Sequence, residues 1–172
     1  MQYRQFEEAL VQMFSIREAS LSAFRARLRH LRKLGIPNIP KRGSGNTFVY
    51  RVEDIFTTFV ALALQTVGSA PAISAVIANA AARYFTRLGL EEQDIFLVVM
   101  NLPEPTPENI VDLTIPLGVQ TMCWMKNPLG GDTFACVILG TEKAGRFVTG
   151  AKTVASSVIN LSEHFKALPK EM

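Results

Sequence analysis

From Ile55 through Ala82 the chain carries no Asp, Glu, Lys or Arg. A run of that length has two physical outlets, a bilayer or a protein core. Thr57, Thr58, Gln65, Thr66, Ser69, Ser74 and Asn79 interrupt it, and Gly68 with Pro71 divides it into pieces of about 14 and 17 residues. Both are short of the roughly 20 that a spanning helix needs. The expectation is two buried helices and no membrane segment. Glu53 and Asp54 suit the positive start of the first helix. The second, from Pro71 to Leu88, is rich in Ala, and small residues permit close helix packing, so this surface suits either a homodimer contact or packing within its own subunit. With 172 residues, 48% hydrophobic and 19% charged, the chain has length for such a core in one medium domain or two small ones.

Ahead of this run the composition inverts. Between Ser20 and Tyr50, Leu21, Phe24, Leu28 and Leu31 recur at spacings of three and four, the signature of one buried helical face, with Leu34 extending it. Arg25, Arg29 and Arg32 follow the same spacing on another side, with Arg27 and Lys33 beside them. Ser20 or Ser22 is the candidate N-cap, and Gly35 followed by Pro37 ends the helix. Lys41 and Arg42 then flank Gly43-Ser44-Gly45, a sequence for a tight reversal, and Thr47 to Arg51 reads as a short strand. Upstream, Phe6, Leu10, Met13 and Phe14 predict a first helix, with Ser15 to Ala19 as its turn.

Charge points to a partner. From Arg17 to Arg51 nine Lys or Arg stand against the single acid Glu18, while the whole chain sums to only +3. A solvated helix face normally mixes both signs; a one-signed stretch is the footprint of a polyanion, whose phosphates release counterions when neutralised.

The run Leu28-Arg29-His30-Leu31-Arg32-Lys33-Leu34-Gly35-Ile36, the glycine-bearing hairpin and Tyr50-Arg51-Val52-Glu53-Asp54-Ile55 together resemble the MerR-like winged helix-turn-helix. The resemblance covers roughly residues 6 to 85. It implies a DNA-binding head whose helix near Ala23 to Leu34 enters the major groove and whose wing touches the backbone or minor groove. By position, Arg29 and His30 match the family's Arg-Tyr pair, and Lys41 and Arg42 its wing basics. The chain departs from the family in placing His30-Leu31 where a tyrosine pair stands and in lacking its long dimerising coiled coil.

Beyond Gly89 the pattern changes again. Asp94 to Met100 and Val119 to Lys126 read as strands, with Ile110 to Ile115 as another candidate. Asn127 to Asp132 is a turn signal before a paired strand at Thr133 to Gly140. Val154, Val158, Leu161, Phe165 and Leu168 predict a closing helix from Thr153 to Leu168. The expected fold class is α+β: a helical winged helix-turn-helix head over residues 1–88, then a small α/β domain over 89–172 with an antiparallel hairpin and a closing helix.

Catalytic chemistry leaves little trace. His30 and His164 are the only histidines, too few for a histidine-rich metal site. Cys123 and Cys136 lie in apolar surroundings and read as reduced core residues of a cytosolic protein. Glu91, Glu92 and Asp94 read as a solvated turn, and Trp124 as a core residue. Gly43-Ser44-Gly45 lacks the Gly-x-x-x-x-Gly-Lys pattern of a nucleotide loop. No catalytic residue, cofactor or metal is expected.

The expectation is therefore a sequence-specific regulator of transcription that binds double-stranded DNA as a homodimer, in the cytoplasm at the nucleoid. Arg25, Arg29 and His30 are assigned to base edges, and Arg32, Lys33, Lys41, Arg42 and Arg51 to phosphates, with Arg27 counted among the DNA-binding residues. Ser44 and Asn46 add hydrogen bonds from the wing. Residues 89–172 serve dimerisation, sensing, or contact with transcription machinery or a partner protein. The alternative is an adaptor whose basic face docks an acidic protein; RNA binding is disfavoured because exposed aromatics among the basic residues are scarce.

Overall fold

A computed structural model describes residues 1–39 and 48–82 and the backbone of four strands farther along. The chain divides into two units, Met1–Phe85 with His164–Met172, and Thr86–Glu163.

In the first unit the described regular structure is helical: α1 (Tyr3–Met13), a 3-10 turn at Glu18–Ser20, α2 (Leu21–Lys33), α3 (Val52–Thr66) and α4 (Pro71–Ala82). Each amphipathic stripe buries as its spacing requires. In α1 Phe6, Ala9, Leu10 and Met13 face inward, and in α2 Phe24, Leu28 and Leu31 do. Phe14 meets Phe59 of α3 at 5.2 Å between ring centroids, which ties the first turn to the central helix.

Three helices end by the same device. After α1 the Ile16 and Ser15 N–H groups donate to the Val11 and Gln12 carbonyls; after α2, Ile36 and Gly35 donate to Leu31 and Arg32; after α3, Ser69 and Gly68 donate to Leu64 and Gln65. The residue that turns left-handed is Ser15, Gly35 or Gly68, with φ of 49°, 80° and 91°. This is the Schellman closure, which satisfies the last carbonyls of a helix. Leu31 and Ile36, which bracket the closure of α2, are both fully buried.

Helix α3 is the axis of the unit. Ten consecutive residues, Ile55 to Leu64, are buried, so the helix has core on every side. Its two buried threonines are satisfied internally, since Thr57 and Thr58 hydroxyls donate to the Glu53 and Asp54 carbonyls at 2.7 Å. At its start the Asp54 carboxylate accepts the Arg51 N–H at 2.8 Å. Helix α4 lies against α3 and buries Ser74, Ala75, Ile77, Ala78 and Ala81. The uncharged run is thus largely consumed inside its own subunit; the exposed large apolar residues among those described are Val49, Val52 and Val67. No helix among the described residues is long and apolar enough to cross a membrane.

In the second unit the described backbone is a four-stranded antiparallel sheet in the order β2-β3-β1-β4, with β1 Ile95–Leu102, β2 Met122–Lys126, β3 Thr133–Gly140 and β4 Ala155–Asn160. Strand β1 lies centrally between β3 and β4, and the register sets Cys123 opposite Cys136.

The expected fold class is overturned by these findings. The described residues of the head are helical with no strand, and Phe48 to Arg51, expected to end a wing strand, is not one. Tyr50 instead exchanges two hydrogen bonds with Met1, whose amine donates to the Tyr50 carbonyl at 2.8 Å while the Tyr50 N–H donates back at 2.9 Å. In the second unit no helix occurs among the described residues; the strands expected at 119–126 and 133–140 do pair antiparallel, as β2 and β3, but within a four-stranded sheet rather than in the expected α/β domain. Residues 155–160, placed in the closing helix by their apolar spacing, form the strand that pairs with β1. Val158 and Ile159 are β-branched and Ser156 and Ser157 are weak helix formers, so the helical apolar spacing yields to a long-range ladder. The expected turn tip at 43–45, the strand at 110–115 and the turn at 127–132 lie outside the described residues.

Candidate nucleic-acid interface

Helix α2 carries five cations and no acid. Its inner face is fixed by Phe24, Leu28 and Leu31, and the remaining positions divide by helical geometry into an outward face and a flank toward α1. Ser22, Ala23, Ala26, Arg27, Arg29, His30 and Lys33 are exposed. Among the described residues Arg27, Arg29, His30 and Lys33 make no ion pair. The N-terminal half of this face has short side chains, which let a helix backbone approach a surface closely. The C-terminal half supplies the charge.

The flank is built differently. Arg25 Nε donates to Glu7 Oε1 at 2.8 Å and its Nη2 lies 2.7 Å from the same oxygen, while the Tyr3 hydroxyl donates to Glu7 Oε2 at 2.8 Å. Glu7 therefore has both oxygens engaged in a side chain that is only 11% exposed. Burial pushes the Glu7 carboxyl up, but hydrogen bonds from Arg25 and Tyr3 and the nearby Arg25 and Arg32 charges outweigh it, and the group is held below the usual carboxylate range. The same bond to Glu7 raises the Arg25 guanidinium.

Arg32 is held by aromatics. Its guanidinium carbon sits 4.1 Å from the Tyr3 ring centroid, and Nη2 donates to the Tyr50 hydroxyl at 2.7 Å. Tyr50 in turn stacks on Phe6 at 4.3 Å. Burial raises the Tyr50 hydroxyl, against the opposing charge and hydrogen bond of Arg32. Burial and the bond to Glu7 raise Tyr3 in the same way. These contacts join α1, α2 and the segment leading into α3. Because Tyr3 meets Arg32 and Glu7 meets Arg25, α1 and α2 pass each other in opposite senses.

Of the residues singled out from sequence, Arg29, His30 and Lys33 stand together on the outward face of α2, and Arg27, two residues before Arg29, is exposed on the opposite flank. Arg25 and Arg32 belong to the flank, tied to Glu7 and to the tyrosines. Arg51 is exposed at the start of α3. Lys41, Arg42, Ser44 and Asn46 lie outside the described residues. Sequence reasoning gave no part in the site to Tyr3, Arg4 and Glu7, and took Tyr50 only as part of the family motif. The spacing of Tyr3 to Glu7 and of Arg4 to Glu8, one helical turn each, was the available signal. Against protein families, curated proteins and solved structures, the chain finds no match.

Proposed function

We propose that this protein is a sequence-specific regulator that binds double-stranded DNA as a homodimer, with α2 in the major groove and the basic residues of 41–42 on the backbone, as its resemblance to the MerR-like winged helix-turn-helix implies. The observation that carries the reading is the outward face of α2. Arg29, His30 and Lys33 project from a helix with no acid, beside small residues that permit close approach. Arg29 and His30 are the groove-facing pair, Arg29 suited to a guanine edge; Arg27, Lys33 and Arg51 serve phosphates. Its place is the cytoplasm, at the nucleoid.

The test is retention of fragmented DNA from the protein's own source at near-physiological salt, followed by sequencing. A few sites sharing a two-fold motif are expected. Arg29→Ala then costs roughly 1–3 kcal/mol on the retained site and relaxes one base position. Uniform recovery without a motif sinks the proposal and turns attention to an acidic protein partner.

A further inference from the structure

Between α1 and α2 lies an open cleft of about 430 Å³ lined by Tyr3, Arg4, Glu7, Arg25, Arg29 and Arg32. Four guanidiniums thus share one concavity with a single carboxylate. That carboxylate is spent: one oxygen is taken by Arg25 and the other by Tyr3. The arginines are not. A guanidinium has five N–H donors. Arg25 turns Nε and Nη2 to Glu7, leaving about three donors, and Arg32 gives one to Tyr50, leaving about four. Arg29 makes no ion pair among the described residues. Arg4 meets Glu8 across a pair whose side chains are 89% and 57% exposed, a contact that water readily replaces.

We infer that this cleft is a binding subsite for a phosphate group, with Arg4, Arg25 and Arg32 as its donors and Arg29 at its edge. Two arginines are already oriented, Arg25 by the fork on Glu7 and Arg32 by the Tyr3 ring and the Tyr50 hydroxyl, so little side-chain freedom remains to be lost on binding. Planar, forked donors suit a phosphate better than a monodentate anion. Arg29 belongs both to the cleft and to the outward face of α2, so the cleft opens beside the proposed groove-reading surface. The occupant is a backbone phosphate of the bound duplex if the proposed function holds, and a free phosphate if it does not. Arg4 is the residue this adds: it lies on α1, away from the base-reading helix.

The experiment has two arms, both on the full chain. In the first, affinity for the retained duplex and for a scrambled duplex is measured against salt for wild type and Arg4→Ala. The slope of log K against log salt is expected to fall by about 0.9, one phosphate contact, with the ratio between the two duplexes unchanged. Glu8→Ala, which frees Arg4, keeps the slope at wild type or above. In the second arm inorganic phosphate is titrated against chloride at matched ionic strength, and the Nε–H signals of Arg25 and Arg29 are followed by NMR. Shifts that appear in wild type and vanish in Arg4→Ala establish the subsite even where no duplex binds; the regulator reading then falls and the cleft stands. If Arg4→Ala keeps the wild-type salt slope and phosphate moves the arginine signals no further than chloride does, the inference is overturned.

Discussion

Helices α2 and α3 have nearly the same length, 13 and 15 residues, and opposite fates. Helix α2 buries three residues and holds five cations at or near the surface; α3 buries ten in succession and has no charge after Asp54. In α3 the ten side chains from Ile55 to Leu64 are committed to the core. In α2 a narrow stripe anchors the helix and the rest is released for contact. A stripe of three buried residues is thus enough to seat a helix whose other sides stay open to solvent.

The largest way to test that contrast is a matched pair of truncations. Phe59→Ala, at a fully buried position of α3, is expected to cost about 3–5 kcal/mol in a denaturant melt. Lys33→Ala on the outward face of α2 is expected to change stability by no more than about 0.5 kcal/mol. A large loss from Lys33→Ala would mean that the outward face of α2 is structural.

The flank of α2 is the intermediate case. Glu7→Gln replaces the charged acceptor of Arg25 and should cost about 1–2 kcal/mol at neutral pH. Since the folded-state carboxyl is held below its ordinary value of 4.5, its contribution is complete above that pH and fades as pH falls through the lower folded value. Acid melts of wild type should therefore lose stability below about pH 4.5 more steeply than melts of Glu7→Gln. Parallel curves would mean the carboxylate gains nothing from Arg25 and Tyr3.

The helix exits should not distinguish the two helices at all. A Cβ built on Gly35 or Gly68 meets nothing within 4 Å, so Gly35→Ala and Gly68→Ala each pay only for the left-handed backbone, about 1 kcal/mol. The reverse change, Ser15→Gly after α1, should stabilise by roughly 0.5 kcal/mol. Unequal losses at Gly35 and Gly68 would reveal a packing role at one of them.

Much of the helical head was legible. The spacing of Leu21, Phe24, Leu28 and Leu31 located α2, Gly35 its end, and Gly68 with Pro71 the break between α3 and α4, because periodicity, caps and breakers act within one or two turns. The candidate surface was legible only as a set of cations. That Arg25 and Arg32 would be tethered, while Arg29 at the same helical spacing makes no ion pair among the described residues, depended on Glu7 and Tyr50, each 18 residues away. No spacing rule within a helix reaches that far.

The sequence by itself determined the end of α2, the break between α3 and α4 and that the uncharged run would be core, because those outcomes follow from local hydrogen bonding and from the cost of exposing apolar surface. Tertiary structure alone decided which arginines of α2 are tethered and that residues 155–160 extend as a strand along β1. In both cases the deciding partner lies far along the chain. A long-range ladder or ion pair supplies hydrogen bonds that the local apolar spacing, read alone, had assigned elsewhere.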